Sequence, residues 1–219
     1  MIGPHKDVPG PDVTTNSQTV DWMVYEFMKL IGDETLASFT GKSLGNGGSE
    51  GREAATGRGG VIVLREYIAA HPELPTPLTV AIQGIGNVGF FFAQIAQEQL
   101  PVRIVAVSNS RECVVVKDFA SNQNTLRLND KKLTRGIVDE LKNDTTEVRS
   151  GEKILSLDVD VLVFAALGDV LDDSNQSEVK APILLELANG PIDSEAHDVL
   201  VERSLGVFLL IFLHFCAFI

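Results

Sequence analysis

Apolar positions along this chain recur at two spacings, and the alternation between them sets the first expectation. Residues 20–31 carry Trp22, Met23, Phe27, Leu30 and Ile31 at helical spacing behind the turn-and-cap cluster DVTTN at 12–16, which predicts an amphipathic helix. Helical periodicity returns over 61–70 and stops at His71-Pro72. Between the two lies 40–60, with glycines at 41, 45, 47, 48, 51, 57, 59 and 60 and few apolar residues, which reads as loop. A glycine-dense loop of this kind lets backbone approach a ligand closely.

Short β-prone runs follow: LTVAIQ at 78–83, RIVAVS at 103–108, DVLVF at 160–164 and ILLEL at 183–187. A helical stretch at 90–98 separates the first two, so 78–108 reads as a βαβ unit. Residues 126–141 are polar and helical in tendency. Strands alternating with helices predict an α/β fold with an open, doubly wound sheet of Rossmann type.

Composition narrows the partners. Of the 219 residues 44% are hydrophobic and 22% charged, as in ordinary globular proteins. A formal net charge of -12 works against phosphate-backbone binding, so no nucleic acid is expected. Cys113 and Cys216 stand far apart, with neither disulfide nor metal-ligand spacing, which fits a reducing, cytoplasmic setting without a metal site. The apolar run GVFLLIFLHFCAFI at 206–219 falls short of the roughly 20 residues of a membrane helix, so a bilayer span is disfavoured against a buried terminal strand or an unrelated segment.

The strongest chemical signal is Gly84-Ile85-Gly86-Asn87-Val88-Gly89, a G-x-G-x-x-G placed between a predicted strand and a predicted helix. Gly84 allows the tight turn, Gly86 lets a pyrophosphate approach, and Gly89 lets the helix pack on the strand. Asn87 and Val88 open the helix, whose free N–H groups and positive dipole end suit phosphate. The acid expected roughly 20 residues on, for the ribose 2′-OH of NAD, is replaced by Asn109 with Arg111 nearby. An amide can bond a hydroxyl and repels a 2′-phosphate less than a carboxylate does, so NAD and NADP both stay open.

DVPGPDVTTN at 7–16, TGKSLGNGGSEGREAATGRGG at 40–60, IQGIGNVG at 82–89, VDVLVFAAL at 159–167 and ELANGP at 186–191 occur together in one order. In this they resemble the glutamate/leucine/phenylalanine/valine dehydrogenase family, most of all its glutamate branch, from Asp7 to about Leu200. The resemblance implies reversible oxidative deamination of an amino acid, L-glutamate giving 2-oxoglutarate and ammonia, with NAD or NADP as hydride acceptor and homohexameric assembly. By position, Asp12 matches the family's catalytic, proton-shuttling aspartate. Read alone, Asp12 is more naturally a cap for the helix beyond Asn16, and it is the resemblance that turns the reading to catalysis. Arg52 and Thr56 match the loop closing on the nicotinamide end, with Thr56 bonding the carboxamide and Arg52 ordering substrate or cofactor. Ala166 and Leu167 match a strand end at the sheet's carboxyl edge, and Asn189 a cofactor-contacting position.

The same resemblance divides the chain. Residues 1–39 are expected to be a remnant of the substrate domain, 40–200 the NAD(P)-binding Rossmann domain, and 201–219 an apolar tail foreign to the family. The lysine-bearing part of the substrate domain is expected upstream of the first residue. The abrupt change near Leu200 fits a truncated or frame-shifted product. The usual Pro-Ala-Ala is Phe164-Ala165-Ala166 here, the usual Glu-Asn is Gly168-Asp169, and a usual Gly is Leu187. Such changes read as relaxed constraint or sequence error. A chain that binds NAD(P) without turning anything over is therefore the alternative to an active dehydrogenase.

Overall fold

The computed structural model describes residues 2–12, 15–32, 34–128, 131–134, 136–166 and 168–203, and the backbone of 206–209. They fall into two compact units, one within Met1–Ala55 and the other within Thr56–Leu213.

In the first unit, α1 (Ser17–Ile31) begins at Asn16, whose side chain accepts from the Thr19 N–H at 3.0 Å, and ends at Gly32 with φ 73°. Val20 and Val24 bury one face of the helix with Phe39, and Phe27, Met28 and Leu36 pack around them. Asp21 on the same helix accepts the Ser43 N–H at 3.0 Å, which ties down the glycine-rich stretch. That stretch is loop with two short 3-10 turns, Leu44–Asn46 and Arg52–Ala54. It ends earlier than its glycines suggest, because α2 runs over Ala55–Ala70 and takes in Gly57, Gly59 and Gly60.

The second unit is built on β1 (Leu78–Gln83), α3 (Asn87–Gln99), β2 (Val102–Ser108), β3 (Glu112–Val116), α4 (Ile137–Glu140), β4 (Thr146–Ser150), β5 (Val161–Phe164), β6 (Ile183–Glu186), α5 (Ser194–Glu202) and β7 (Gly206–Leu209). The sheet order is β4-β3-β2-β1-β5-β6-β7. Strands β2, β1, β5, β6 and β7 are parallel, and β3 and β4 add an antiparallel edge. The chain leaves β1 toward β2 and later returns to its other side through β5, so the order reverses at β1. That reversal puts the topological switch point at the carboxyl ends of β1 and β5, the place where open α/β sheets bind ligands. Strands buried on both faces read as continuous apolar runs, and β5 and β6 are buried along their whole length.

Residues 126–141 depart from expectation. Among the described residues there only α4 is helical, and the segment 126–128 bonds to α3 instead. Gln97 of α3 donates to the Leu126 carbonyl at 2.6 Å and accepts the Leu128 N–H at 3.0 Å, while Gln94 donates to the carbonyls of Leu128 and Lys131. Long amides on a neighbouring helix satisfy this backbone, so it needs no helix of its own. Strand β7 pairs with β6 at the start of the apolar tail, and residues 210–219, with Cys216, lie outside the described residues. Among the described residues no helix is long and apolar enough to cross a membrane, and no cluster of ligating side chains could hold a metal ion.

Candidate dinucleotide-binding site

The turn after β1 explains each of its glycines separately. Gly84 has φ 92°, and a Cβ there would lie 2.5 Å from the Cβ of Ala166. Backbone N–H groups of Gly84 and Ile85 both donate to the Ser108 carbonyl at 3.1 Å, which pins the turn to the end of β2. A Cβ on Gly89 would stand 2.0 Å from the Gly84 carbonyl oxygen, so only glycine lets α3 sit this close to the turn. Gly86 is different: it is exposed, and among the described residues its Cβ position meets nothing within 4 Å. As N-cap of α3 it offers no side-chain acceptor, and the first turn holds no acidic residue. A helix start left this way presents N–H donors and a positive dipole end to an outside anion. A dinucleotide's pyrophosphate fits the cradle, because nothing among the described residues fills the volume a side chain would take.

Neighbouring strand ends close around this turn. Ala165 N–H donates to the Gln83 carbonyl at 2.8 Å, and Leu187 and Ala188 N–H groups donate to the Phe164 carbonyl at 2.8 and 3.0 Å. These bonds stitch the carboxyl ends of β1, β5 and β6 into one rim. Ala166 lies two residues past β5 rather than ending it, and Leu167 is outside the described residues. Asn189 sits exposed on the loop after β6, held in place as Asp169 N–H donates to Gly190 and the Val170 and Leu171 N–H groups donate to Pro191.

Two departures from the family pattern have local reasons. A Cβ at Gly168 would come 2.9 Å from the Asn189 carbonyl oxygen. Leu187, where the family has glycine, is buried, and its Cδ2 would lie 2.6 Å from a Cβ on Gly60 of α2.

Asn109 follows β2 directly. Its Oδ1 accepts the N–H groups of Arg111 at 2.8 Å and Glu112 at 3.0 Å, capping the β2–β3 turn. The acceptor is thus committed locally, and Nδ2 is the end that could meet a ribose oxygen. Thr56 lies half-buried in the first turn of α2, next to Gly57, whose missing Cβ would be 2.6 Å from the Phe92 nitrogen and 2.9 Å from the Val88 carbonyl of α3. That close crossing carries Thr56 to the beginning of α3. The second unit therefore brings together Thr56, Gly84, Gly86, Asn87, Val88, Gly89, Asn109, Ala166 and Asn189.

Asp12 and Arg52 belong to the first unit. Asp12 is not the helix cap that its position also allows, since Asn16 fills that role. Its backbone instead closes a turn with Thr15, whose hydroxyl donates to the Asp12 carbonyl at 2.7 Å. Arg52 is half-buried, with its Nε buried and without a hydrogen-bond partner among the described residues.

Sequence reading passed over Glu186, although an acid inside ILLEL was a visible signal. It is 1% exposed, at the last register position of β6, beside Phe164 of β5. Phe164 pairs in turn with Gln83, and Gln83 with Ser108. Both Glu186 carboxylate oxygens and Gln83 Oε1 are buried without partners among the described residues. Burial pushes the Glu186 carboxyl up to about 7.

This geometry agrees with what the sequence is similar to. A family model, Glutamate/Leucine/Phenylalanine/Valine dehydrogenase, matches residues 47–212. The chain belongs to that family. The match runs past Leu200, where the motifs quoted above give out. Glutamate dehydrogenase of Thermotoga maritima is 36% identical over 94% of this chain and 49% of its own length. The NADP-specific glutamate dehydrogenase A1 of Halobacterium salinarum is 38% identical over 94% of this chain and 48% of its own. Among solved structures, the hetero-hexameric glutamate dehydrogenase from Thermus thermophilus in its Leu-bound form superposes with a TM-score of 0.73 at 28% identity, covering 94% of this chain and 47% of that one. The chain spans about half the length of the curated relatives it matches.

Proposed function

We propose that the second unit binds NAD or NADP and that the chain serves an amino-acid dehydrogenase acting on L-glutamate, giving 2-oxoglutarate and ammonia. The open Gly86 at the uncapped start of α3 carries this reading. Bound there, the nicotinamide would supply a hydride acceptor for the amino-acid Cα. The α3 N–H groups of Asn87, Val88 and Gly89 hold pyrophosphate, and Asn109 Nδ2 donates toward the adenosine ribose. Without a carboxylate at that position, a 2′-phosphate meets no like charge, so NADP is accepted alongside NAD. Thr56, Ala166 and Asn189 border the nicotinamide end, and Arg52 orders substrate or cofactor.

In the same reading residues 1–39 belong to the substrate domain, and Asp12 moves protons to and from the substrate's amino group. The residues from 201 on carry β7 and then leave the family pattern. Oligomeric assembly, six subunits in the Thermus thermophilus relative, extends to this chain as part of the proposal.

A second reading, a binder of NAD(P) without turnover, is favoured by Phe164 and Gly168-Asp169 at the strand ends. Titrating NADH and NADPH by fluorescence against the chain and its Gly86→Val variant, beside a glutamate-dependent turnover assay, separates the two. Binding lost in the variant together with turnover supports the dehydrogenase. Binding without turnover leaves the cofactor binder, and no binding removes both.

A further inference from the structure

Strand β4 is the outer edge of the sheet, and its backbone parity is fixed by bonds at both ends of the hairpin. Lys117 N–H donates to the Thr145 carbonyl at 2.9 Å, and Gly151 N–H donates to the Arg111 carbonyl at 3.2 Å. The register pairs Val115 with Glu147, Val114 with Val148 and Cys113 with Arg149. Odd-numbered positions of β4 therefore bond inward to β3, and Thr146, Val148 and Ser150 turn their backbone groups outward. The Thr146 N–H is taken by the Asn143 carbonyl at 3.1 Å, which among the described residues leaves the outward groups of Val148 and Ser150 and the Thr146 carbonyl.

Side chains on this edge follow a self-complementary order. Glu147 and Arg149 share one face and form an ion pair with each other, and they stand 38% and 43% exposed. Val148, on the opposite face, is 50% exposed although its register partner Val114 is fully buried. Charged residues on an edge strand usually discourage pairing. Here their order is E-V-R, which reads as its own complement when reversed.

We propose that β4 is a docking edge for a second copy of this chain, paired antiparallel about a twofold axis through Val148. Val148 of each copy exchanges N–H···O bonds with Val148 of the other, and each Ser150 N–H donates to the other copy's Thr146 carbonyl. Glu147 then lies directly opposite the other copy's Arg149 at a position without backbone bonds, where side chains of antiparallel strands come closest. The two valines extend the buried row that runs through Val114, and the edge's unpaired groups are satisfied by an interface that contacts itself. The occupant is a second copy because this strand's own charge order, run backwards, supplies the complement at both charged positions.

Sedimentation velocity on the full chain across a concentration series tests the pairing. Beside any assembly through other faces, the wild type is expected to show a concentration-dependent pairing step that weakens with added salt. Glu147→Arg and Arg149→Glu each place like charges opposite one another and weaken self-association by on the order of tenfold. Mixing the two variants restores a heterodimer, since the arginine introduced into one copy then faces the glutamate introduced into the other, and the double exchange restores the homodimer. Val148→Pro removes an outward N–H without touching the bonds to β3, so it abolishes the dimer while thermal unfolding followed by circular dichroism stays near wild type. A wild type that is monomeric at every concentration overturns the proposal. So does a concentration-dependent pairing step that all the variants retain, or a mixture of the two charge variants that shows no such step.

Discussion

Helix α1 begins at Asn16, whose side chain accepts the Thr19 N–H, whereas α3 begins at Gly86, which has no side chain and, among the described residues, nothing within 4 Å of where one would start. Both helices face the same deficit of acceptors for their first N–H groups. In α1 the chain supplies one itself, and the helix is finished as a structural element. In α3 the cap residue supplies none, at the carboxyl end of β1. Glu186 extends the contrast, since it too is a polar group that the surrounding fold leaves without a partner among the described residues. The difference teaches where to look for function: polar groups satisfied internally build the fold, and those left unsatisfied at a strand's carboxyl end await something else.

The contrast can be broken from either side. Its largest disruption is Gly89→Ala, which forces a Cβ into the Gly84 carbonyl and moves α3 off the turn. We expect a loss of about 3 kcal/mol in urea unfolding, along with loss of NADH binding.

Next comes Glu186. Its folded pKa of about 7 lies above the ordinary value of 4.5, so the folded state holds the proton more tightly. Stability is then full below about pH 4.5 and declines as pH rises through about 7, by roughly 3 kcal/mol in all. Glu186→Gln cannot ionise and should flatten that slope between about pH 5 and 8. An unchanged slope in urea titrations would show that the carboxyl finds a partner in solution.

Asn16→Ala removes the α1 cap and should cost about 1 kcal/mol, with cofactor binding untouched. The smallest change in stability should come from Gly86→Asp, which converts α3 into a capped helix like α1. Backbone angles of φ −77° and ψ −159° suit any residue there. A gain of a few tenths of a kcal/mol is expected in thermal unfolding. NADH binding should nonetheless fall by more than about tenfold, because the new carboxylate occupies and repels the phosphate position. A variant that binds normally would remove Gly86 from the site.

Much of this arrangement was legible in the residues. The βαβ unit around Gly84 to Gly89 could be read because strand, turn and helix are adjacent in sequence and each glycine has a local reason. The antiparallel hairpin could not. Glu112 to Val116 follows β2 through a tight turn, and Thr146 to Ser150 is a polar edge whose alternation carries little apolar signal. The helical tendency of 126–141 misled, since Gln94 and Gln97 of α3 satisfy that backbone from outside. Within the site, Ala166 and Asn189 were named through the family resemblance. The steric reasons for Gly57 and Gly168 lie in residues distant in sequence and surfaced only with the fold.

By itself the sequence determined the local elements: the capped start of α1, the glycine turn and the apolar strands, all set by interactions a few residues long. Tertiary structure decided the rest, because those outcomes depend on which strands become neighbours. It placed Ala166 against Gly84, buried the Glu186 carboxylate in the sheet, and left Gly86 facing open space.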